Sequence, residues 1–218
     1  MRTVLVTDIH GHTEELEKIL EKEEYDAVLC AGDISDAREY EDYGEKLEEV
    51  LDTFDRKGKL VKAVPGNMDP EEECVEELIQ RRLNIHKKIA SFESFDVVGY
   101  GGGKTPFGTP FEPEGSEIEE ALTTLYGRMK SGTKVAVVHQ PPSDTSLDLV
   151  DGDHVGSPDV RELVEEKDFD LFVTGHIHES FGTDRLSGTL MVNPGPVMEG
   201  RYAVAEIGEE PEVELKQI

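Results

Sequence analysis

The sequence predicts an α/β fold in which two β-sheets are flanked by helices. Short apolar runs rich in Val, Ile and Leu alternate with helical patterns in both halves of the chain, which is typical of βαβ units with largely parallel sheets. Closely spaced strand patterns in the middle and at the end of the chain indicate hairpins. At 218 residues the chain is long enough for one substantial core, so we expect a single domain over residues 1–218.

The predicted elements follow one another in a regular order. In the first half, strands at residues 3–7, 27–31 and 60–64 are each followed by a helix, at 14–23, 39–54 and 71–83. A hairpin of strands 88–92 and 96–100 comes next, followed by helix 117–130, strand 134–139, helix 159–167 and strand 171–174. The chain ends in strands at 180–186, 189–193, 202–207 and 213–216, the first two joined by a turn at Ser187-Gly188. Two stretches rich in Gly and Pro, 101–115 and 140–157, are expected to be functional loops.

The composition excludes several classes of protein. The chain has 22 Lys and Arg against 49 Asp and Glu, a formal charge of -27. Long nucleic acid is therefore a poor ligand, because binding to it depends on cationic side chains that neutralise phosphates. No apolar run is long enough to span a membrane, no leader pattern precedes the first strand, and two cysteines are too few for a disulfide framework. We expect a cytoplasmic protein with Cys30 in its core; the oligomeric state, a homo-oligomer included, stays open.

Polar side chains follow five of the predicted strands at the point where each strand ends. They are Asp8 and His10, Asp33, Asn67, His139, and finally His176 and His178. The carboxyl ends of strands form the edge at which open α/β sheets bind ligands. Two pairs in this set are also two residues apart, and such residues point to the same side of an extended chain. Imidazole, carboxylate and amide groups suit Mn, Fe, Zn, Ni or Co, and seven such ligands are enough for two ions.

The motifs around these residues resemble those of the calcineurin-like metallophosphoesterase superfamily, in the same order and over most of the chain. They are Asp8-Ile9-His10, Gly32-Asp33-Ile34-Ser35-Asp36, Gly66-Asn67-Met68-Asp69, Val138-His139 and Gly175-His176-Ile177-His178. Weaker marks resemble the short, single-domain microbial branch of predicted phosphoesterases; they are Gly101-Gly102-Gly103, Thr105-Pro106-Phe107 and Val192-Asn193-Pro194-Gly195. The resemblance implies a four-layer α/β/β/α sandwich with two mostly mixed sheets.

The resemblance also implies a site and an activity. One divalent ion would be held by Asp8, His10, Asp33 and His178, and a second by Asp33, Asn67, His139 and His176, with Asp33 as the bridge. Mn is the favoured metal, and the implied reaction is attack of a metal-bridging hydroxide on a small phosphate ester. Asn67 would also contact the phosphate, and Asp36 and Asp69 would orient ligand imidazoles.

One residue departs from the pattern of the superfamily. In many of its phosphatases a His that protonates the leaving group follows the ligand Asn, whereas here the residue is Met68, whose thioether cannot donate a proton. We therefore expect a phosphodiesterase rather than a monoesterase. His12 and His154 are the candidate general acids, and for either of them an idle, exposed histidine is the alternative.

Other functions fit the sequence less well. A nuclease of the same superfamily is disfavoured by the charge and by the lack of a basic stripe. A non-catalytic scaffold similar to the retromer subunit would be expected to lose ligands, and here the seven are present. Gly103-Lys104-Thr105 is not the end of a P-loop, because Val98 stands where its first glycine belongs and Pro106 follows instead of a helix.

Overall fold

The computed structural model describes residues 1–57 and 59–218 and shows two sheets packed face to face. The strands are β1 Arg2–Val6, β2 Ala27–Cys30, β3 Leu60–Ala63, β4 Lys88–Ser91, β5 Asp96–Tyr100, β6 Lys134–Val138, β7 Leu149–Val150, β8 Asp153–His154, β9 Leu171–Val173, β10 Gly182–Leu186, β11 Thr189–Asn193, β12 Arg201–Glu206 and β13 Glu212–Gln217. The helices are α1 Thr13–Lys22, α2 Tyr43–Arg56, α3 Glu71–Gln80, α4 Gly115–Tyr126 and α5 Pro158–Glu166.

Both sheets are mixed. The first has the order β13-β12-β1-β2-β3, in which β1, β2 and β3 are parallel, β12 runs antiparallel to β1, and β13 runs antiparallel to β12. The second has the order β10-β11-β9-β6-β5-β4, with antiparallel hairpins at its two edges. The β10–β11 hairpin turns at the predicted residues Ser187 and Gly188, which both have the positive φ that a two-residue hairpin turn of type I′ requires.

Three apolar layers separate the helices and the sheets. Leu16 and Leu47 pack α1 and α2 onto the outer face of the first sheet, where Cys30 is buried as predicted. Leu5 and Val137 belong to the layer between the sheets, and Leu122 of α4 belongs to the layer outside the second sheet. The layers follow the alternation of side chains along each strand, because neighbouring residues face opposite sides of a sheet. The four-layer α/β/β/α prediction is confirmed.

Several predicted boundaries are wrong. Helix α2 begins at Tyr43 rather than at 39, because Asp42 caps it by accepting a hydrogen bond from the backbone N–H of Glu45. Helix α4 ends at Tyr126, four residues earlier than predicted, and α3 ends at Gln80. A turn of 3-10 helix at His178–Ser180 replaces the start of the predicted strand 180–186, and the predicted loop 140–157 contains the short β7–β8 hairpin.

Five parallel strands of the two sheets end near the same edge, and this edge carries the candidate site.

Among the residues that the structure describes, no helix has both the length and the apolar character needed to cross a membrane.

Candidate active site

Backbone and side-chain hydrogen bonds join the loops that follow β1, β2 and β9. The amide of Asp8 donates to the carbonyl of Gly32 (3.0 Å), and the amide of His10 donates to the carbonyl of Asp33 (2.9 Å). The carboxylate of Asp8 in turn accepts from the amide of His176, with Oδ2 at 3.2 Å. These bonds bring ligand candidates from both sheets to one place.

Four of the candidate ligands have strained backbones. Asp8, His10, Asp33 and His176 have φ values of 51°, 45°, 48° and 71°, a region that side chains other than glycine rarely adopt. Such strain is concentrated at functional sites, where the surrounding structure enforces it. The expectation that these residues lie in extended chain is wrong, because they lie beyond the strands in tight loops. His176 and His178, expected on one side of a strand, contact different groups.

The first group of ligands consists of Asp8, His10 and His178, with Asp33 beside them. The Nε2 atoms of His10 and His178 are 3.3 Å apart. His178 Nε2 lies 3.4 Å from Asp8 Oδ1, and His10 Nε2 lies 3.6 Å from Asp33 Oδ2. Metal–nitrogen bonds are about 2.1 Å long, so two ligands of one ion at a right angle are about 3 Å apart. These separations fit one ion.

The second group consists of Asn67, His139 and His176, again with Asp33. Asn67 Oδ1 lies 2.9 Å from His139 Nε2 and 2.7 Å from His176 Nδ1. His139 Nε2 lies 3.5 Å from Asp33 Oδ2, the same oxygen that faces His10. The carboxylate of Asp33 thus stands between the two groups.

Outer hydrogen bonds fix which nitrogen of each imidazole carries a proton. The carbonyl of Ala31 can only accept, so His139 donates to it from Nδ1 (2.7 Å), and in the neutral imidazole Nε2 is left with a lone pair. The carbonyl of Lys104 likewise accepts from His176 Nε2 (3.0 Å), which leaves a lone pair on Nδ1. In the neutral imidazoles both lone pairs would face Asn67 Oδ1, which is itself an acceptor. A cation bound between these three atoms would accept an electron pair from each of them.

The buried charges of the site act on its imidazoles in opposite directions. Burial opposes protonation of His10, but its hydrogen bond to Asp36 and the charge of Asp33 outweigh burial and raise its pKa to about 9. Burial is likewise outweighed at His139, chiefly by the charge of Asp33, and the pKa is again about 9. Burial and the charge of His139 lower the pKa of His176 to about 4. The carboxylates of the site therefore favour positive charge on His10 and His139, whereas His176 is neutral near pH 7.

The two outer aspartates have different contacts. Asp36 Oδ2 lies 3.2 Å from His10 Nδ1. Asp69 is fully buried and accepts from the amides of Gly66, Ile34 and Ser35 and from the hydroxyl of Tyr43. The expectation that Asp69 orients an imidazole is thus wrong. Its oxygens are occupied by backbone donors, and it ties the loop of Asp33 to the loop of Asn67.

The two candidate acids occupy different positions. His12 is the N-cap residue of α1, and its Nδ1 lies 3.7 Å from Glu15 Oε2. His154, in β8, donates from Nδ1 to the buried carboxylate of Asp148 at 2.7 Å, which leaves its exposed Nε2 as the second nitrogen. The strand pairing of Pro142 with Ser157 brings the segment after His154 beside the loop that starts at His139.

Two residues with contacts to this site were missed from the sequence. Gln140 Oε1 accepts from the amide of Lys104 (2.6 Å), whose carbonyl binds His176. His86 is buried, and its Nδ1 accepts from the amide of Gly101 (2.9 Å) at the start of the glycine-rich loop. An isolated histidine after a helix carries no pattern, so only its apolar surroundings hinted at burial.

Comparisons with known proteins identify a family. The family model described as calcineurin-like phosphoesterase matches residues 1–180. An uncharacterized protein of Methanocaldococcus jannaschii is 36% identical over 202 residues, covering 90% of this chain and 88% of that protein.

Solved structures share the fold. A protein of Thermus thermophilus superposes with a TM-score of 0.77 at 18% identity, covering 99% of this chain and 98% of the other. A dimetal phosphatase from Danio rerio superposes with a TM-score of 0.71 at 15% identity, covering 100% and 96%. Because the family model matches most of the chain, the chain belongs to the calcineurin-like phosphoesterase family of metal-dependent phosphoester hydrolases.

Proposed function

We propose that the chain is a binuclear phosphodiesterase acting on a small phosphorylated substrate. The observation that carries the proposal is the position of Asp33 Oδ2, which lies 3.6 Å from His10 Nε2 and 3.5 Å from His139 Nε2. One oxygen thus faces both groups of ligands, as a bridge between two ions requires. Asp8, His10, Asp33 and His178 would hold one ion, and Asp33, Asn67, His139 and His176 would hold the other.

The side chains of the site fit two divalent ions. Four imidazoles, two carboxylates and an amide oxygen suit Mn, which we favour, and also Fe, Ni, Zn or Co. Once bound, two such ions neutralise phosphate oxygens and make hydroxide available near neutral pH. The protein orients the ligands through Asp36, Ala31 and Lys104, whose oxygens lie at 3.2 Å or less from the outer imidazole nitrogens.

The proposed diester preference rests on Met68, the residue that follows Asn67. Met68 supplies its backbone amide to Asp33 Oδ1 (2.8 Å), and its side chain has no proton to donate. We propose His154 rather than His12 as the general acid, because a buried carboxylate orients the imidazole of His154 and raises its pKa.

The proposal also includes a cytoplasmic location and excludes long nucleic acid as a substrate. The exclusion of nucleic acid rests on the formal charge of -27.

The test begins with metal-free protein. Mn²⁺, Ni²⁺, Zn²⁺ and Mg²⁺ are restored separately, and hydrolysis of bis(p-nitrophenyl) phosphate is compared with that of p-nitrophenyl phosphate and of cyclic nucleotides. We expect metal-dependent turnover, with kcat/KM at least tenfold higher for the aryl diester than for the monoester. Asp33→Asn keeps an acceptor for the amide of Met68 but removes the shared charge, and we expect its activity to fall by more than 1,000-fold. Full activity of this variant, or turnover without metal, contradicts the binuclear site.

A second comparison tests the acid. His154→Gln and the matched variant His12→Gln are assayed on diesters with p-nitrophenol or with phenol as the leaving group, of which p-nitrophenol is the better. General acid catalysis contributes roughly 100-fold or more when the leaving group is poor. We expect His154→Gln to lose about that factor on the phenyl diester and little on the nitrophenyl diester. The same pattern in His12→Gln instead would move the assignment to His12.

A further inference from the structure

We propose that a cavity beside the candidate metal centre binds one of the two ester groups of a phosphodiester substrate, and that this ester group is uncharged and partly apolar. The inference rests on the proposed function and restricts the class of substrate. The cavity has a volume of about 260 Å³, and the residues that define it for this argument are Lys104, Glu114, Gln140, Val155 and Asp159.

The cavity adjoins a ligand of the second group. Lys104 and Gln140 line it, and the carbonyl of Lys104 is hydrogen-bonded to His176 Nε2. A Cβ placed on Gly103 would lie 3.2 Å from both Gln140 Oε1 and His176 Cε1, so Gln140 in the wall of the cavity and the imidazole of His176 both lie next to Gly103. A larger cavity of about 500 Å³ lies by Arg2 and Asp26, at the other end of β1 from Asp8, and has no such connection.

The lining indicates what the cavity accepts. Val155 is 42% exposed although it is a large apolar residue, and Pro113, Ile118 and Pro158 form further apolar walls. Apolar area of this kind gains free energy when a ligand covers it. Drug-sized ligands need roughly 300–1,000 Å³, so about 260 Å³ suits a single ring or a short chain.

The charges around the cavity disfavour an anionic group. The ammonium of Lys104 is paired with the carboxylate of Glu114, so it is already neutralised. The carboxylate of Asp159 remains and makes the lining negative. A second phosphate or a carboxylate on the alcohol would meet this charge directly, whereas a neutral ring would not.

The test uses three p-nitrophenyl diesters whose other ester group is methyl, phenyl or 4-carboxyphenyl. In the metal-loaded wild type we expect kcat/KM to be at least tenfold higher for phenyl than for methyl, and at least fivefold lower for 4-carboxyphenyl than for phenyl. Val155→Trp fills the cavity and should lower the phenyl-to-methyl ratio at least tenfold. Leu60→Trp is the matched control, since Leu60 is exposed and lies at the opposite end of β3 from the site. It should leave the ratio unchanged.

Binding is measured separately from turnover. In the Zn²⁺-loaded, ¹⁵N-labelled protein, phenylphosphonate should shift the amide signals of Val155 and Gly156, whereas methylphosphonate should not. No selective shift, equal kcat/KM for the three diesters, or an unchanged ratio in Val155→Trp each overturns the cavity proposal. A selective shift without turnover of any diester supports the cavity and counts against the proposed phosphodiesterase.

Discussion

His86 provides the most direct test of how the glycine-rich loop is attached. Its Nδ1 accepts from the amide of Gly101, so its Nε2 must carry the proton, which is shared with Glu71 Oε1 at 3.2 Å. Its ring packs against Tyr100 and Phe111, with centroids 4.8 and 5.6 Å away. A proton on Nδ1 would face the N–H of Gly101 and break this attachment.

The magnitude follows from the lowered pKa. Burial and the charge of Lys87 lower the pKa of His86 from 6.5 to about 4. Because the unfolded chain takes up the proton first, the stabilisation is complete above pH 6.5 and is lost as the pH falls toward 4. Between pH 7.5 and pH 5 this amounts to about 2 kcal/mol of unfolding free energy.

The assay is urea unfolding at pH 7.5 and pH 5 in the presence of a chelator, so that metal binding does not contribute. We expect His86→Leu to be less stable than the wild type at pH 7.5 and to close about 2 kcal/mol of that gap at pH 5. His154→Gln is the control of opposite sign, because the bond to Asp148 raises the pKa of His154. Parallel changes in the wild type and His86→Leu would refute the reasoning.

Two further predictions concern the loops that carry Asp33 and Asn67. A Cβ on Gly66 would overlap Asp33, so Gly66→Ala should destabilise the protein by about 3 kcal/mol and weaken metal binding. Gly132 has open space around it, so Gly132→Ala should have neither effect. Urea unfolding measures the stability of both variants, and calorimetric titration with Mn²⁺ measures their metal binding. Tyr43→Phe removes the hydroxyl that donates to Asp69, and we expect about 2 kcal/mol of destabilisation in urea, with an effect under about 0.5 kcal/mol ruling out a strong bond.

The fold could be predicted from the sequence because its signals are local. The apolar runs form the strands β1, β2 and β3, and each of them is followed by a helical pattern, so the parallel order could be predicted. The boundaries that failed depend on single hydrogen bonds. Asp42 caps α2 although Glu39 already fits a helical pattern, and the 3-10 turn after Ile177 interrupts a segment that reads as a strand.

The side chains that meet at the candidate site could be predicted as a set because they share a position at strand ends. Their backbone conformations could not, since the positive φ values at Asp8 and His176 occur in loops held by hydrogen bonds to distant parts of the chain. Asp69 shows a related limit. Its place in a ligand motif suggested contact with an imidazole, but a buried carboxylate satisfies whichever donors surround it, and here these are backbone amides.

The outer contacts of the imidazoles show most clearly where the sequence has no information. The carbonyls that fix His139 and His176 belong to Ala31 and Lys104, and every residue type offers the same carbonyl oxygen. In the sequence, Lys104 attracts notice through its ammonium group, which in the structure is paired with Glu114. Its main chain, held by Gln140, is the part that orients His176. The glycine-rich loop thus contacts the candidate site through its backbone, because Gly103 lets that backbone lie close to His176 and Gly101 lets it lie close to Pro65.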